Sequence, residues 1–276
     1  MGAWGVIEAA GPDQRQALLT RLGFRFGVNG PHAARTMMLD DLRTLLAHTP
    51  AAASRQAYAT AIVTDNLLGK STKKARALSL KHLAALYGLD AVNPLFRALR
   101  RLWPLDAAAQ PLLALTVALA RDPLLRASRA FVLSRPVGVL VSPEDVAAFL
   151  ADAFPDRFSA ASLKSFSRNL AGTWTAAGFL QGSRRKIKSL PVLRAEVVAL
   201  SLFLGYLEGR SGQRLFSSEW MTVLGGTPAE LDALTSVAAN RGLLVFMCAG
   251  GVKEVRFPGY LTPDEEHIRQ EAAHVV

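Results

Sequence analysis

The sequence predicts a mainly α-helical fold, a helical bundle with winged-helix-like units and one short C-terminal β-hairpin. Ala and Leu dominate it, β-branched runs are scarce, and apolar residues recur at spacings of three and four, the period of one helix face. Only residues 243–257 read as strand, turn and strand, with Ala249-Gly-Gly251 between two apolar runs. Half of the 276 residues are apolar. That is enough to bury a sizeable core and excludes a disordered chain.

The elements follow in order. Residues 34–48 carry Met37, Met38, Leu42, Leu45 and Leu46 as one stripe, closed by Pro50. Residues 54–68 form a second helix ended by Gly69, and residues 71–87 a third, with Ser71 or Thr72 as N-cap. Asn93-Pro94 opens a fourth through Arg101, because proline suits a first helical turn. Residues 111–120 and 122–133 follow, and Arg135-Pro136 breaks the helix.

Ser142-Pro-Glu-Asp145 then predicts a capping box opening a helix to Phe154. Residues 159–178 give a longer helix with Leu163, Phe166, Leu170 and Trp174 on one side. A basic, β-like stretch follows at residues 183–191. This arrangement reads either as the recognition helix and wing of a winged helix or as a plain helical hairpin with a charged loop, and the pattern leaves both open. A similar layout recurs with short helix 217–224, capping box Thr227-Pro-Ala-Glu230, helix to Asn240, and the hairpin. Residues after Pro263 form an acidic, exposed helix. Three units result: a helical bundle at 1–136, a basic helix-turn-helix-like unit at 137–195, and a C-terminal helical unit with the hairpin at 196–276.

The longest apolar runs, residues 111–120 and 197–207, fall well short of the roughly 20 residues needed to span a bilayer. They read as core helices. Residues 1–8 lack a basic start and place Glu8 where a signal peptide would stay apolar. With a single cysteine, Cys248, there is no disulfide framework and no cysteine-based metal site. The expectation is a cytoplasmic protein without membrane contact.

The charge is the informative quantity. The chain holds 32 Lys and Arg against 22 Asp and Glu, a formal net charge of +10. Residues 51–101 contribute nine basic and two acidic side chains, and residues 157–195 contribute eight basic and none acidic. Residues 196–276 reverse this with six basic and ten acidic. Basic blocks separated by acidic sequence favour a polyanionic partner, since each cation set on a phosphate releases counterions. The expected contacts are Lys70, Lys73, Lys74 and Arg76 in the first block, with Lys164, Arg168, Arg184, Arg185, Lys186 and Lys188 in the second. Lys70, Lys73 and Lys74 share a face if their helix begins by Gly69. Arg168 or Asn169 would read bases if their helix enters a major groove. No aromatic–basic interleaving suggests single-strand stacking, so double-stranded DNA is favoured.

Catalytic patterns fail one after another. Leu68-Gly-Lys-Ser71 resembles the end of a P-loop, but Thr64 stands where its first glycine belongs and the surroundings are helical. Ser71-Thr-Lys-Lys74 has Ser-x-x-Lys spacing without the partner motifs of acyl-serine enzymes. His32, His48, His82, His267 and His274 show no metal-ligand spacing, and Asp40-Asp41 point apart on a helix. A non-enzymatic protein without cofactor or metal is expected.

RTMMLDDLRTLL at 35–46, DNLLGKSTKKAR at 65–76, LAALYGL at 83–89, ARDPLLR at 120–126, SPEDVAAF at 142–149 and residues 163–180 follow in an order and spacing that resemble the BrxA family. These are small proteins of the BREX bacteriophage-exclusion systems of bacteria. The likeness spans roughly residues 30–190, and residues 195–276 stand outside it as extra length. It implies a helical fold related to the antitermination factor NusB, DNA binding, and a place in phage defence. Its carry-over to single residues is limited to Lys70, Lys73, Lys74 and Arg76. Docking to other phage-defence proteins, or RNA binding of an antitermination type, are the alternatives.

Overall fold

The computed structural model describes residues 12–27 and 30–274. The fold is mainly α with a small β component. Helices α1 (Pro12–Arg21), α2 (Leu39–His48), α3 (Arg55–Ala59), α4 (Lys73–Tyr87), α5 (Pro94–Leu102), α6 (Gln110–Arg121) and α7 (Pro123–Ser134) form the first part of the chain. Then come β1 (Leu140–Val141), α8 (Pro143–Ala153), α9 (Ala160–Ala176), β2 (Leu180–Gln181) and β3 (Lys186–Lys188). The last part holds α10 (Ala195–Leu207), α11 (Gln213–Phe216), α12 (Glu219–Leu224), α13 (Pro228–Asn240), the hairpin β4 (Val245–Ala249) and β5 (Val252–Arg256), and α14 (Pro263–His274).

The two long apolar runs become the core, as their composition requires. Helix α6 buries every residue from Leu112 to Ala120, and α10 buries nearly its whole length. A helix apolar all round needs neighbours on every side. Accordingly α6 packs on α4, α5, α7, α9 and α10, while α10 also meets α12 and α13. The chain closes on itself where α1 packs on α14 and Arg97 of α5 pairs with Glu265 of α14 at 2.5 Å.

Several element boundaries differ from the sequence-based expectation, each for a local reason. Helix α2 starts at Leu39 rather than 34, because the backbone of Met37 is engaged on both sides. Its N–H donates to Thr173 Oγ1 at 2.9 Å, and its carbonyl accepts from the Tyr87 hydroxyl. Met38 then enters the left-handed region at φ 51°. Helix α3 does not run to residue 68 but passes into a π-helical turn, Thr60–Thr64, after which Asn66 at φ 53° turns the chain. Thr72, whose hydroxyl accepts from Ala75 N–H at 3.1 Å, caps α4, so the helix begins at Lys73. The expected capping box at Ser142 and Asp145 is present in both directions. A three-stranded antiparallel sheet in the order β1-β3-β2 adds to the single hairpin expected, with Leu140 opposite Ile187 and Gln181 opposite Ile187 on its other side.

One buried polar cluster joins three segments distant in sequence. Asp122 caps α7, its Oδ1 accepting from Leu124 and Leu125 N–H at 2.9 and 3.0 Å. Its Oδ2 accepts from both the backbone N–H and the ring Nδ1 of His32 at 2.8 Å each. The other ring nitrogen of His32 meets Thr173 Oγ1 of α9 at 2.8 Å, and Asn169 of α9 donates to the His32 carbonyl at 3.0 Å. Gly30 has to be glycine here, since a Cβ would stand 1.9 Å from Asp122 Oδ1.

Asp122→Ala leaves His32 and two helix N–H groups unpaired in the core, and should lower unfolding free energy by about 3 kcal/mol or more in a urea titration. Burial alone would raise the Asp122 pKa, but the hydrogen bonds and charge of His32 outweigh it and hold the carboxyl below its ordinary value. Its stabilisation is therefore full above the unfolded pKa of 3.8 and is lost as pH falls through the lower folded value. Asp122→Asn should flatten this acid limb when stability is measured against pH.

Candidate nucleic-acid interface

Helix α9 is anchored by its apolar side and presents its other side to solvent. Phe166, Leu170 and Trp174 are buried, and the Trp174 indole donates to Ser128 Oγ of α7 at 2.9 Å. The helical period then leaves Lys164 and Arg168 exposed one turn apart. Asn169 is turned inward to the His32 carbonyl, so its amide is committed to the fold.

After α9 the chain turns at Gly178 into β2, and the β2–β3 hairpin carries Arg184 and Arg185 exposed at its tip. Gly182 at φ 99° makes this turn, where a Cβ would meet the Arg185 carbonyl at 2.2 Å. Lys186 is half-buried and donates to the Gly182 carbonyl at 2.9 Å. Lys188 is 3% exposed, donates to the Ser189 carbonyl at 3.0 Å and lies 4.9 Å from the Phe179 ring centroid. Burial pushes its ammonium pKa down. Its cation faces the interior, contrary to the expectation that it contacts phosphate.

The first basic block divides in the same way. Lys73 and Lys74 are exposed in the first turn of α4, which holds no acidic residue. Cations at the positive end of a helix dipole are unfavourable by themselves, and an anion at that end would relieve them. Lys70 lies outside the helix, its Nζ 2.8 Å from Asp41 Oδ1, so it does not share a helical face with Lys73 and Lys74. Arg76 donates to the Val63 carbonyl at the end of the π-helical turn at 3.0 Å. Arg100 holds the carbonyls of Leu46 and Thr49 at 2.7 and 2.6 Å. Arg101 stacks 4.4 Å from the Tyr260 ring centroid.

A further exposed cation, Arg35, lies outside both blocks and was missed by the charge count. Arg35 is exposed and lines a notch of about 420 Å³ together with Thr36, Lys70, Ser79 and the acidic Asp40 and Asp41. Burial, with Arg35 and then Lys81 nearby, lowers the pKa of His82 on α4. On its other side, Thr36 meets α9, where a Cβ on Gly172 would lie 3.1 Å from the Thr36 methyl. Gly172 is one turn from Arg168. Exposed cations thus stand at the start of α4, at Arg35, on α9 and at the β2–β3 tip. Asp40 and Asp41 hide Arg35 in a regional sum of charge, whereas its place between two helices is visible only in three dimensions.

The line Asp122–His32–Thr173 has the residue types of a hydrolytic triad. All three are 0% exposed, and Thr173 Oγ1 also accepts from Met37 N–H. No substrate atom can reach this hydroxyl in the fold described, and the three act as a structural joint. Among the described residues, no group of three or more His, Cys, Asp and Glu side chains is placed to hold a metal ion. Among them, no helix is long and apolar enough to cross a membrane.

No protein-family model matches the sequence, and no curated protein matches it. Among solved structures, the chain is similar to the magnesium ion-bound crystal structure of SspB, with a TM-score of 0.53 and 11% identity, covering 93% of this chain and 99% of that one. A second SspB crystal structure gives a TM-score of 0.49 at 11% identity, with 93% and 100% covered. At this identity the first likeness is one of fold, and it extends over nearly the whole of both chains.

Proposed function

We propose that this chain is a non-enzymatic, duplex-DNA-binding accessory protein of bacterial phage defence of the BREX type, acting in the cytoplasm. The observation that carries the DNA-binding reading is that Lys73, Lys74, Arg35, Lys164, Arg168, Arg184 and Arg185 are all exposed. The defence context rests on the resemblance of residues 30–190 to the BrxA family.

The order α7-β1-α8-α9-β2-β3, with sheet order β1-β3-β2, supports the winged-helix alternative over the plain helical hairpin. In this reading α9 lies in the major groove and the β2–β3 tip lies on the backbone. Arg168 is the candidate for base contact, because Asn169 is engaged internally. Lysines at the start of α4 and the paired arginines of the wing are backbone contacts, which position the protein without reading sequence.

The test is a gel shift on duplex DNA across a salt series, with duplex and single-stranded RNA of equal length alongside. Replacing Lys73, Lys74, Arg184 and Arg185 with Glu should abolish the shift, and replacing them with Ala should reduce the slope of log K against log salt by roughly three to four. Unchanged affinity in both variants would sink the reading, and tighter binding to RNA would replace DNA with RNA. Lys188→Met should leave the affinity and slope as they are, since that ammonium does not face solvent.

A further inference from the structure

Of the nine cations in residues 51–101, five are engaged within the fold: Lys70 with Asp41, Arg76 and Arg100 with carbonyls, Arg97 with Glu265, and Arg101 on the Tyr260 ring. Lys73 and Lys74 stand together at the start of α4. The other two, Arg55 of α3 and Lys81 of α4, are exposed, and among the described residues neither makes a hydrogen bond or an ion pair. Both line one cavity of about 480 Å³ between α3 and α4, and Arg121 at the end of α6 lines it with them.

Small side chains make the room. Ala77, Lys81 and Ala84 follow at spacings of four and three on one face of α4, and Gly88 caps that helix below them. Ala59 of α3 and Leu80 extend the aliphatic wall, and no carboxylate is among the lining residues. Arg121 is fixed in place. Its Nε and Nη2 donate to the Ala85 and Ala84 carbonyls at 3.1 and 3.3 Å and its Nη1 to the Gly23 carbonyl, which uses three of the five N–H groups of a guanidinium. Burial, with the charge of Arg25 nearby, lowers the Arg121 pKa, and an opposite charge beside it would favour the charged form again.

We propose that this cavity binds a small phosphate monoester, its phosphate held among Arg55, Lys81 and Arg121 and its organic body on the aliphatic wall. A terminal phosphate carries close to two negative charges at neutral pH and presents three acceptor oxygens, which suits three cations. A carboxylate offers one charge and two oxygens, and a DNA backbone phosphate likewise carries a single charge. The volume lies within the roughly 300–1,000 Å³ of small-molecule sites, and inorganic phosphate alone would leave most of it empty.

Isothermal titration of the full chain with phenyl phosphate tests this. Saturable binding at one site per chain is expected, weakened at least about tenfold in the double variant Arg55→Ala/Lys81→Ala. Both side chains are exposed, so the unliganded variant should melt with the wild type, which separates loss of the site from loss of the fold. Benzoate and inorganic phosphate should each bind more weakly, the first lacking charge and the second an organic body. The same variant should keep wild-type affinity for duplex DNA, so the site stands or falls apart from the DNA-binding reading. Absence of saturable binding, a double variant that binds phenyl phosphate like the wild type, or benzoate binding as tightly would overturn the proposal. So would a double variant that loses DNA affinity and leaves phenyl phosphate binding unchanged.

Discussion

The carboxylate of Asp122 is where the fold is tied together. One oxygen opens α7, the other holds His32 by backbone and ring, and His32 in turn meets Thr173 and Asn169 of α9. A buried anion is costly unless its hydrogen bonds are made, and here four donors surround it. The consequence is orientational. Helix α9 is pinned against the turn that precedes Arg35, which also packs on α4, so its orientation in the fold is fixed. The placement of α9 and its exposed cations depends on a charge that never reaches solvent.

The cations of this chain divide by chemistry as much as by position. Many arginines act inside the fold, closing helix C-termini from a distance. Arg121 donates to Ala84 and Ala85 at the end of α4 and to the Gly23 carbonyl, and Arg126 donates to Leu119 and Ala120 at the end of α6. Arg100 does the same beyond α2. A planar fork can serve several carbonyls at once, and a weakly hydrated guanidinium tolerates burial. Burial still pushes the Arg121 pKa down to about 10. Lys73, Lys74 and Lys81 of the first block, by contrast, are exposed. A count of positive charge therefore overstates the cations open to a partner, and the overstatement falls mainly on arginine.

Much of the helical framework was legible before any tertiary information. Pro94, Pro123, Pro143 and Pro228 each sit in a first turn behind a capping Asn, Asp, Ser or Thr, and the elements begin where those signals stand. The Gly-Gly hairpin and the two all-apolar helices were equally plain. Less legible were places where a distant side chain overrides local preference. Residues 34–38 have helical periodicity, yet Tyr87 and Thr173 engage the backbone of Met37 and keep it out of the helix. The short strand β1 has too few residues for a period, and it exists because β3 pairs with it.

The sequence by itself determined the helical class, the main caps, the terminal hairpin and the blocks in which positive charge collects, since these depend on neighbours within a few residues. Only the tertiary structure decided which cations remain available. Lys73, Lys74, Lys164, Arg168, Arg184 and Arg185 face solvent, as does Arg35 outside the two blocks, while Lys70 pairs with Asp41, and Arg76 and Lys188 turn to backbone carbonyls. A buried carbonyl or carboxylate must find a donor, and which donor it finds depends on what folding brings within about 3 Å.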